Sequence, residues 1–264
     1  MPEFVSNGVI LHYIDEGQGE PFIFLHGLGG DTKQILTSFD QDPKIRLISL
    51  DMQGHGQSQV DWDNYNFSTL ADDVINLMDM LKLDKVSIGG ISMGAAVSVN
   101  LALRYPKKIK KLLLVRPAWT DKSMDSDKIR LFSLEAEYLK NNDRQGFVNT
   151  EEYMALKNKS LYSAGSFSGG FNTKASLEHY DKFKILPAQS PFTNVEELHN
   201  IEIPTLILAC KRDWVHPYEY GEYYQQHIKN SILKELPDKD SDAKKHRELL
   251  NFYIKEFLND GERF

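Results

Sequence analysis

Ser92 is the residue whose surroundings most directly suggest chemistry. It lies at the centre of Gly90-Ile91-Ser92-Met93-Gly94, between an apolar run typical of a strand and a stretch of small residues typical of a helix. A sharp strand-to-helix turn holds such a serine in a strained backbone conformation, and the flanking glycines let neighbouring elements approach without a Cβ clash. We therefore predict that Ser92 is a nucleophile. The alternative is a serine that only caps the helix.

A glycine-rich segment, His26-Gly27-Leu28-Gly29-Gly30, directly follows the apolar run at residues 22–25. A turn of this kind can aim the backbone N–H of Leu28 towards the serine, and with the N–H of Met93 it would form an oxyanion hole. The glycines could otherwise cradle a phosphate, but the segment lacks both G-x-G-x-x-G and a P-loop lysine. We expect His26 to orient the turn rather than to exchange protons.

A third motif, at residues 51–58, also follows an apolar run and contains Asp51 and His55. These two side chains could form an acid–base dyad or bind a metal. Two glycines and a terminal serine instead describe a tight turn, and no cysteine or further histidine supplies a third ligand. We therefore expect a structural role for this motif and no metal site.

The elements that must position these motifs form an alternating pattern of short apolar runs and longer helical stretches. This rhythm predicts an α/β fold, with a mostly parallel central sheet flanked by helices. An N-terminal hairpin is also expected, because Asn7-Gly8 suits a turn with positive φ. The predicted strands are residues 3–5, 9–14, 22–25, 45–50, 86–89, 112–115, 205–210 and 232–236. Helical periodicity is clearest at residues 67–81 and 92–104.

The alternation stops after residue 117 and resumes near residue 203. We interpret residues 118–199 as an inserted helical cap, with residues 1–117 and 200–264 forming the core. A Gly/Ser-rich stretch at residues 163–170 is a candidate lid hinge. The helical patterns of the cap fall at residues 128–140, 147–159 and 172–183.

Composition excludes several classes of protein. The 264-residue chain is 41% hydrophobic and 26% charged, and its 31 Lys and Arg against 38 Asp and Glu give a net charge of -7, which argues against a nucleic-acid partner. Its apolar runs fall below the ~18 residues of a membrane span, and its N-terminus lacks a signal-peptide pattern. The single cysteine, Cys210, cannot form an internal disulfide. We expect a cytoplasmic monomer or homodimer.

Together the motifs resemble the α/β-hydrolase superfamily, in a member with an inserted cap. The resemblance rests on the segment from His26 to Gly30, on residues 51–58, on the pentapeptide around Ser92 and on Asp213, each of which follows a predicted strand. It implies the chain order nucleophile, acid, histidine. Asp213 matches the acid position, with Asp121 as the reserve found in some relatives.

The histidine is where the sequence departs from the family pattern. Many relatives carry Gly-His a few residues after Leu-Pro, whereas here Leu236-Pro237 is followed by Asp-Lys-Asp-Ser-Asp. Chain order leaves His216, His227 and His246 as candidates. We expect His216 to be too close in sequence to Asp213 to lie between that carboxylate and Ser92, and His227 falls late in a helix. His246, at the start of the last helix, is the predicted base.

The resemblance implies a serine hydrolase acting on a small carboxylic ester, lactone or thioester through a Ser92–His246–Asp213 triad, with no metal or organic cofactor. Lyases and carbon–carbon hydrolases that reuse such a triad stay open as alternatives. So does a non-hydrolytic ligand-binding protein, because the usual Gly-His is missing.

Residues near the expected core–cap boundary are candidates for the substrate pocket. Trp119 follows the last strand before the cap, and Trp214 and Tyr218 flank the acid loop. A basic pocket would favour an acidic substrate, and the nearby basic residues would otherwise be solvated surface charge. These basic residues are Arg116, Lys122 and Arg130.

Overall fold

The central element is an eight-stranded sheet, seen in a computed structural model that describes residues 1–259. The strands are β1 (Glu3–Ser6), β2 (Val9–Glu16), β3 (Glu20–Leu25), β4 (Ile45–Leu50), β5 (Val86–Ile91), β6 (Ile109–Val115), β7 (Thr205–Ala209) and β8 (Ser231–Glu235). Their order is β1-β2-β4-β3-β5-β6-β7-β8, with β1 and β2 antiparallel to their neighbours and the remaining pairs parallel. The predicted mostly parallel sheet is confirmed.

Helices cover both faces of this sheet. They are α1 (Thr32–Ser38), α2 (Phe67–Met80), α3 (Met93–Arg104), α4 (Ser126–Lys140), α5 (Arg144–Val148), α6 (Glu151–Lys159), α7 (Leu161–Gly169), α8 (Lys174–Glu178), α9 (Lys182–Ile185), α10 (Tyr218–His227) and α11 (Lys239–Asn259). Among residues 1–259, no helix is long and apolar enough to cross a membrane.

The N-terminal hairpin forms as predicted. Asn7 and Gly8 have φ values of 48° and 88°, which is the positive-φ pair that a two-residue hairpin turn requires. The turn sets the register in which Ser6 pairs with Val9. The hairpin extends the sheet at its antiparallel edge, far from the centre where β3, β5 and β6 lie side by side.

Two hydrophobic cores flank the sheet, because parallel strands with helices on both faces bury side chains in both directions. On one face Phe22 and Phe24 of β3 pack with residues of α1 and α11, including Ile35 and Ile254. The other core holds residues of α2, α3 and α10 and continues without a break into buried residues of the helical insertion, such as Phe132. The insertion is therefore packed on the same core as the helices beside it.

The fully described segment between β6 and β7 contains helices and no strand. The predicted helix at residues 128–140 is present as α4. The pattern at residues 147–159 is split between α5 and α6, because the Thr150 side chain accepts a hydrogen bond from Tyr153 N and starts a new helix. The pattern at residues 172–183 is likewise divided between α8 and α9.

The Gly/Ser-rich stretch is helical, and its role as a lid hinge stays a prediction. Residues 163–169 lie within α7, whose N-terminus is capped by the Ser160 hydroxyl accepting from Ser163 N at 2.9 Å. Ala164 and Phe167 are 1% and 5% exposed, and their burial anchors the helix despite its glycines.

The C-terminal helix begins in two steps. Asp242 has non-helical φ and ψ of -155° and 85°, and its Oδ1 accepts a hydrogen bond from Lys245 N at 2.8 Å. Asp242 thus acts as an N-cap inside α11. His246 follows in the first turn of the new helical segment, where the sequence places it.

Candidate active site

Ser92 occupies a strained turn between β5 and α3. Its φ of 56° and ψ of -109° lie outside the regions that non-glycine residues normally adopt. The Ser92 N–H donates to Val115 O of the neighbouring strand at 2.9 Å, which helps to hold the turn. This is the strand–turn–helix geometry that the sequence predicts, and it leaves the serine 8% exposed at the carboxyl end of the sheet.

The glycines on either side of Ser92 are required by close packing. A Cβ at Gly90 would lie 2.0 Å from the backbone carbon of Gly94, and a Cβ at Gly94 would lie 2.4 Å from Leu25 O. The second contact brings the start of α3 against the end of β3. The turn that follows β3 is therefore fixed close to Ser92.

The turn after β3 is held by its own hydrogen bonds. Gly30 N donates to Gly27 O at 2.9 Å, and Gly27 N donates to Gln34 Oε1 at 2.7 Å. The buried His26 accepts a hydrogen bond at Nε2 from Met52 N at 3.1 Å, so it ties this turn to the one after β4, as expected for an orienting residue.

The two predicted oxyanion-hole donors are the N–H groups of Leu28 and Met93. Leu28 lines the same cavity as Ser92. Met93 is the first residue of α3, so the helix itself supplies no partner for its N–H. Their service as an oxyanion hole stays a prediction.

Asp51 and His55 form no dyad. The Asp51 carboxylate accepts from Thr32 N at 2.8 Å and from Gln57 N at 2.9 Å, whereas His55 Nδ1 contacts Gln53 O at 2.9 Å. Both side chains stabilise the turn that contains them, in agreement with the structural interpretation. Within residues 1–259 there is no group of three His, Cys, Asp or Glu side chains that could hold a metal ion.

Asp213 lies in the turn after β7, and its carboxylate is almost fully hydrogen-bonded. One oxygen, Oδ2, accepts from Arg116 Nε at 2.7 Å and lies 2.6 Å from Arg116 Nη2. The other, Oδ1, lies 2.9 Å from His216 Nδ1 and accepts from the backbone N–H groups of Val215 and His216, each at 3.2 Å. Burial alone would raise the pKa of this carboxyl, but the charges of His216 and Arg116 lower it well below its usual range. Asp213 is therefore ionised.

His216 contacts Asp213 directly, although only three residues separate them in sequence. The expectation that His216 does not lie between this carboxylate and Ser92 stays a prediction. The turn in which Asp213 accepts the N–H groups two and three residues ahead folds the His216 ring back onto the carboxylate. Nδ1 also lies 3.0 Å from Arg116 Nη2. In the tautomer with a proton on Nδ1, that proton is donated to Asp213 Oδ1, and Nε2 can then accept a proton. Burial lowers the pKa of His216, Asp213 opposes this, and Arg116 lowers it further. The ring is thus neutral near pH 7, the form that can accept a proton. It is 7% exposed and lines the cavity beside Ser92.

His246 does not pair with Asp213 in the part of the chain that the structure describes, and the expected pairing is corrected. Its Nδ1 contacts Pro237 O at 2.8 Å, with Cys210 Sγ at 3.7 Å. Asp213 already has Arg116, His216 and two amides as partners, so no strong acceptor site is left for a second imidazole. Burial lowers the pKa of His246 to about 4, although the hydrogen bond to Pro237 raises it. The residue is 2% exposed.

The remaining candidates for acid and base have other contacts. Asp121, the reserve acid, accepts a hydrogen bond from the Tyr223 hydroxyl at 2.9 Å. His227 lies at the end of α10, with Nδ1 at 2.8 Å from Tyr223 O one turn earlier. Neither residue is among those that line the cavity beside Ser92.

That cavity has a volume of about 130 Å³ and lies between the core and the helical insertion. The core contributes the turn after β3, Ser92 and residues that follow β6 and β7. The insertion contributes aromatic rings, one carboxyl group and two serines. The lining residues include Leu28, Ser92, Arg116, His216, Phe132, Glu135, Phe167 and Phe183.

The three predicted pocket residues lie elsewhere, which corrects that expectation. Trp119 is 1% exposed, donates from Nε1 to Leu186 O and packs edge-on against Phe67, so it belongs to the core. Trp214 borders a separate cavity on the outside of α4 and α6. Tyr218 starts α10 and stacks with the ammonium group of Lys211, 5.6 Å from its ring.

The three basic candidates have different positions. Arg116 is 6% exposed and lines the cavity, but its charge is paired with Asp213. Lys122 is exposed, and Arg130 is an exposed partner of Glu152. Sequence reasoning missed the role of Arg116 as the partner of the acid. The available signal was its position directly after β6, the strand beside the one that ends at Ser92.

The chain is similar to known proteins of one family. Residues 20–240 match the family model described as the alpha/beta hydrolase fold. The AB hydrolase superfamily protein YisY of Bacillus subtilis (strain 168) is 30% identical over 271 residues, covering 95% of this chain and 96% of that protein.

Two solved structures are similar over almost their whole length. One is MGS-M2, an alpha/beta hydrolase enzyme from a Medee basin deep-sea metagenome library, with a TM-score of 0.78 at 20% identity over 100% of this chain and 99% of that one. The other is the enol-lactonase from Burkholderia xenovorans LB400, with a TM-score of 0.76 at 21% identity over 98% and 100%. The chain therefore belongs to the α/β-hydrolase family and is an enzyme of that family.

Proposed function

We propose that this enzyme hydrolyses a small carboxylic ester, lactone or thioester through an acyl-enzyme on Ser92. The observation that carries the proposal is the placement of a strained serine on a cavity that also contains a neutral histidine held by an ionised aspartate. A nucleophile, a base and a group that orients the base are the three parts that serine-dependent acyl transfer requires.

In the proposed reaction, Ser92 Oγ attacks the acyl carbon and gives its proton to Nε2 of the histidine base. Asp213 orients this base and stabilises the imidazolium that forms. The N–H groups of Leu28 and Met93 donate to the developing oxyanion, an effect worth about 3 kcal/mol per donor in comparable sites. The tetrahedral intermediate collapses with loss of the alcohol or thiol, which takes the proton from the imidazolium. Water then attacks the acyl-enzyme by the same steps and releases the acid.

The contacts favour His216 as the base, because its Nδ1 is the imidazole nitrogen that meets Asp213. His246, the base predicted from the sequence, is the second candidate. Its contact with Pro237 O places a proton on Nδ1 and leaves Nε2 available as an acceptor, but it lacks the carboxylate that would stabilise an imidazolium. Of the two, His216 is the candidate whose ring contacts the proposed acid.

The cavity and the helical insertion support a compact substrate. A volume of about 130 Å³ is similar to the roughly 150 Å³ of an apolar protein cavity that holds a benzene molecule. We propose that residues 118–199 act as a cap, since Phe132, Phe167 and Phe183 of this segment line the cavity opposite Ser92. A small lactone or short acyl chain fits such a space. The likeness to an enol-lactonase structure makes lactones worth testing first.

The experiment combines covalent labelling with a substrate panel. Purified protein is treated with a fluorophosphonate, and mass spectrometry locates the adduct. Short-chain p-nitrophenyl esters, γ-lactones and acyl thioesters are then compared by kcat/KM. The proposal expects an adduct on Ser92 and turnover of at least one of the three classes. Folded protein that takes no label and turns over none of them would contradict it and favour a ligand-binding role.

A further inference from the structure

Glu135 is a buried carboxyl group on the Ser92 cavity that the proposed hydrolysis does not use. It lies on α4, on the face that meets the core, and is 2% exposed while lining the cavity. Its Oε2 is buried and has no hydrogen-bond partner among the described residues. Buried carboxyl groups in folded proteins are normally paired, so an unpartnered one on an active-site cavity points to a ligand.

Three phenylalanine rings of the cap line the cavity together with Glu135. The Phe132 ring lies 4.7 Å from that of Phe167 and is nearly parallel to that of Phe183, at 6.3 Å. Gly170 supports this arrangement, because a Cβ there would lie 2.9 Å from Glu135 Oε1. On the cap side, the cavity wall therefore combines these aromatic rings with the Glu135 carboxyl group and with Tyr162, Ser163 and Ser166.

The charged group that most affects Glu135 is Lys182, but the two form no ion pair within residues 1–259. The Lys182 Nζ donates to Gly54 O at 2.7 Å and to Ala175 O at 2.9 Å. Burial raises the pKa of Glu135 well above its usual range, and Lys182 opposes this rise only in part. Burial therefore favours the neutral carboxylic acid form of Glu135, which can donate one hydrogen bond and accept others.

We propose that Glu135 binds a hydroxyl or amide group carried by the acyl part of the substrate, and so selects polar acyl chains over alkyl chains. This inference rests on the proposed function, in which the acyl group occupies the cavity between Ser92 and the cap. A hydroxyl or amide can both donate and accept, which matches a neutral carboxyl group. An alkyl chain of the same size would leave the buried carboxyl without a partner, and sites of this kind reject such analogues strongly.

The test uses matched acyl chains in which a methyl group replaces the hydroxyl. The first pair is p-nitrophenyl 3-hydroxybutanoate and 3-methylbutanoate, and the second is p-nitrophenyl 6-hydroxyhexanoate and heptanoate. Wild-type enzyme is expected to prefer the hydroxylated member of at least one pair by about tenfold or more in kcat/KM. Glu135→Leu should abolish or reverse this preference. Glu135→Gln, which keeps a donor and an acceptor, should retain most of it.

Glu137→Gln is the control, because Glu137 lies on the same helix but is exposed. It should leave the preference unchanged. Fluorophosphonate labelling of Ser92 should proceed at similar rates in wild type and in the Glu135 variants, since the small reagent needs no acyl recognition. Equal kcat/KM ratios in wild type and Glu135→Leu would show that Glu135 is structural and would overturn the proposal.

A binding assay separates this inference from the proposed function. Ligand-observed NMR titrations of Ser92→Ala with the methyl esters of the same acids measure recognition without turnover. Tighter binding of a hydroxylated ester, lost when Glu135→Leu is added, supports the site even for a protein that hydrolyses none of the esters. Equal binding of both members of each pair contradicts it, whether or not Ser92 is a nucleophile.

Discussion

Two regions at the same end of the sheet are held in different ways. One is the turn around Ser92, and the other is the acid loop after β7, which carries Asp213 and His216. The Ser92 turn is fixed by backbone sterics: a positive φ, two glycines without room for a Cβ, and one hydrogen bond to β6. The acid loop is fixed by side chains that are far apart in sequence, above all the ion pair of Arg116 with Asp213.

This difference determines what a substitution can do in each region. In the Ser92 turn, adding a methyl group to Gly90 or Gly94 would force the backbone to move, because neighbouring backbone atoms leave no room for a Cβ. In the acid loop, replacing Arg116 removes a partner of Asp213 and changes the charges that act on His216. Substitutions in the Ser92 turn should therefore lower the stability of the fold, whereas substitutions in the acid loop should change the pH dependence of activity.

The largest effect is expected from Ser92→Ala, which removes the proposed nucleophile and leaves the turn. A fall of roughly 10³ to 10⁶ in kcat is expected by analogy with other serine triads. The free energy of unfolding should change little, since the serine hydroxyl makes no contact that the fold needs. Steady-state kinetics and urea unfolding on the same preparation measure both quantities. A variant with wild-type turnover would remove Ser92 from the mechanism.

Replacing the glycines of the Ser92 turn by alanine tests whether this turn requires residues without a Cβ. Gly90→Ala and Gly94→Ala would place a Cβ 2.0 Å and 2.4 Å from backbone atoms, so each should lower the free energy of unfolding by about 1–3 kcal/mol or more. Gly165→Ala is the matched control, because a Cβ there meets nothing within 4 Å in α7. It should stabilise the protein by about 0.5–1 kcal/mol. Similar effects at all three positions would argue against a steric requirement.

The electrostatic nature of the acid loop is tested by Arg116→Met. Arg116 lowers the pKa of His216, so its removal should raise that pKa. A base must be neutral to accept a proton, and activity rises with pH through the pKa of the base. The acidic limb of the kcat/KM profile should therefore move to higher pH.

Arg130→Met controls for the loss of one cation from the protein, because Arg130 is exposed and pairs with Glu152. Its pH profile should match that of the wild type. An acidic limb that stays in place in Arg116→Met would show that His216 does not titrate in the reaction.

The same contrast explains how far the sequence predicts the structure. The parallel sheet, the Asn7-Gly8 hairpin and the Ser92 turn were predictable, because each depends on neighbouring residues and on glycine or β-strand patterns. The partners of Asp213 were not, because Arg116 lies 97 residues away and spacing alone does not show how His216 is oriented. A turn in which an aspartate accepts the amides two and three residues ahead was the missing local signal. In the insertion, helix breaks at Thr150 and His179 depend on capping and packing, which apolar periodicity does not show.

The most direct test of the proposed triad is the rate at which a fluorophosphonate inactivates Ser92 in His216→Gln and in His246→Gln, near neutral pH. Circular dichroism confirms that each variant is folded before its rate is compared. If His216 is the base, His216→Gln should slow inactivation by roughly 10² to 10⁴, and His246→Gln should stay within a few-fold of the wild type. If His246→Gln is the slow variant and His216→Gln is labelled at the wild-type rate, the Asp213–His216 pair is structural and the proposed triad is contradicted.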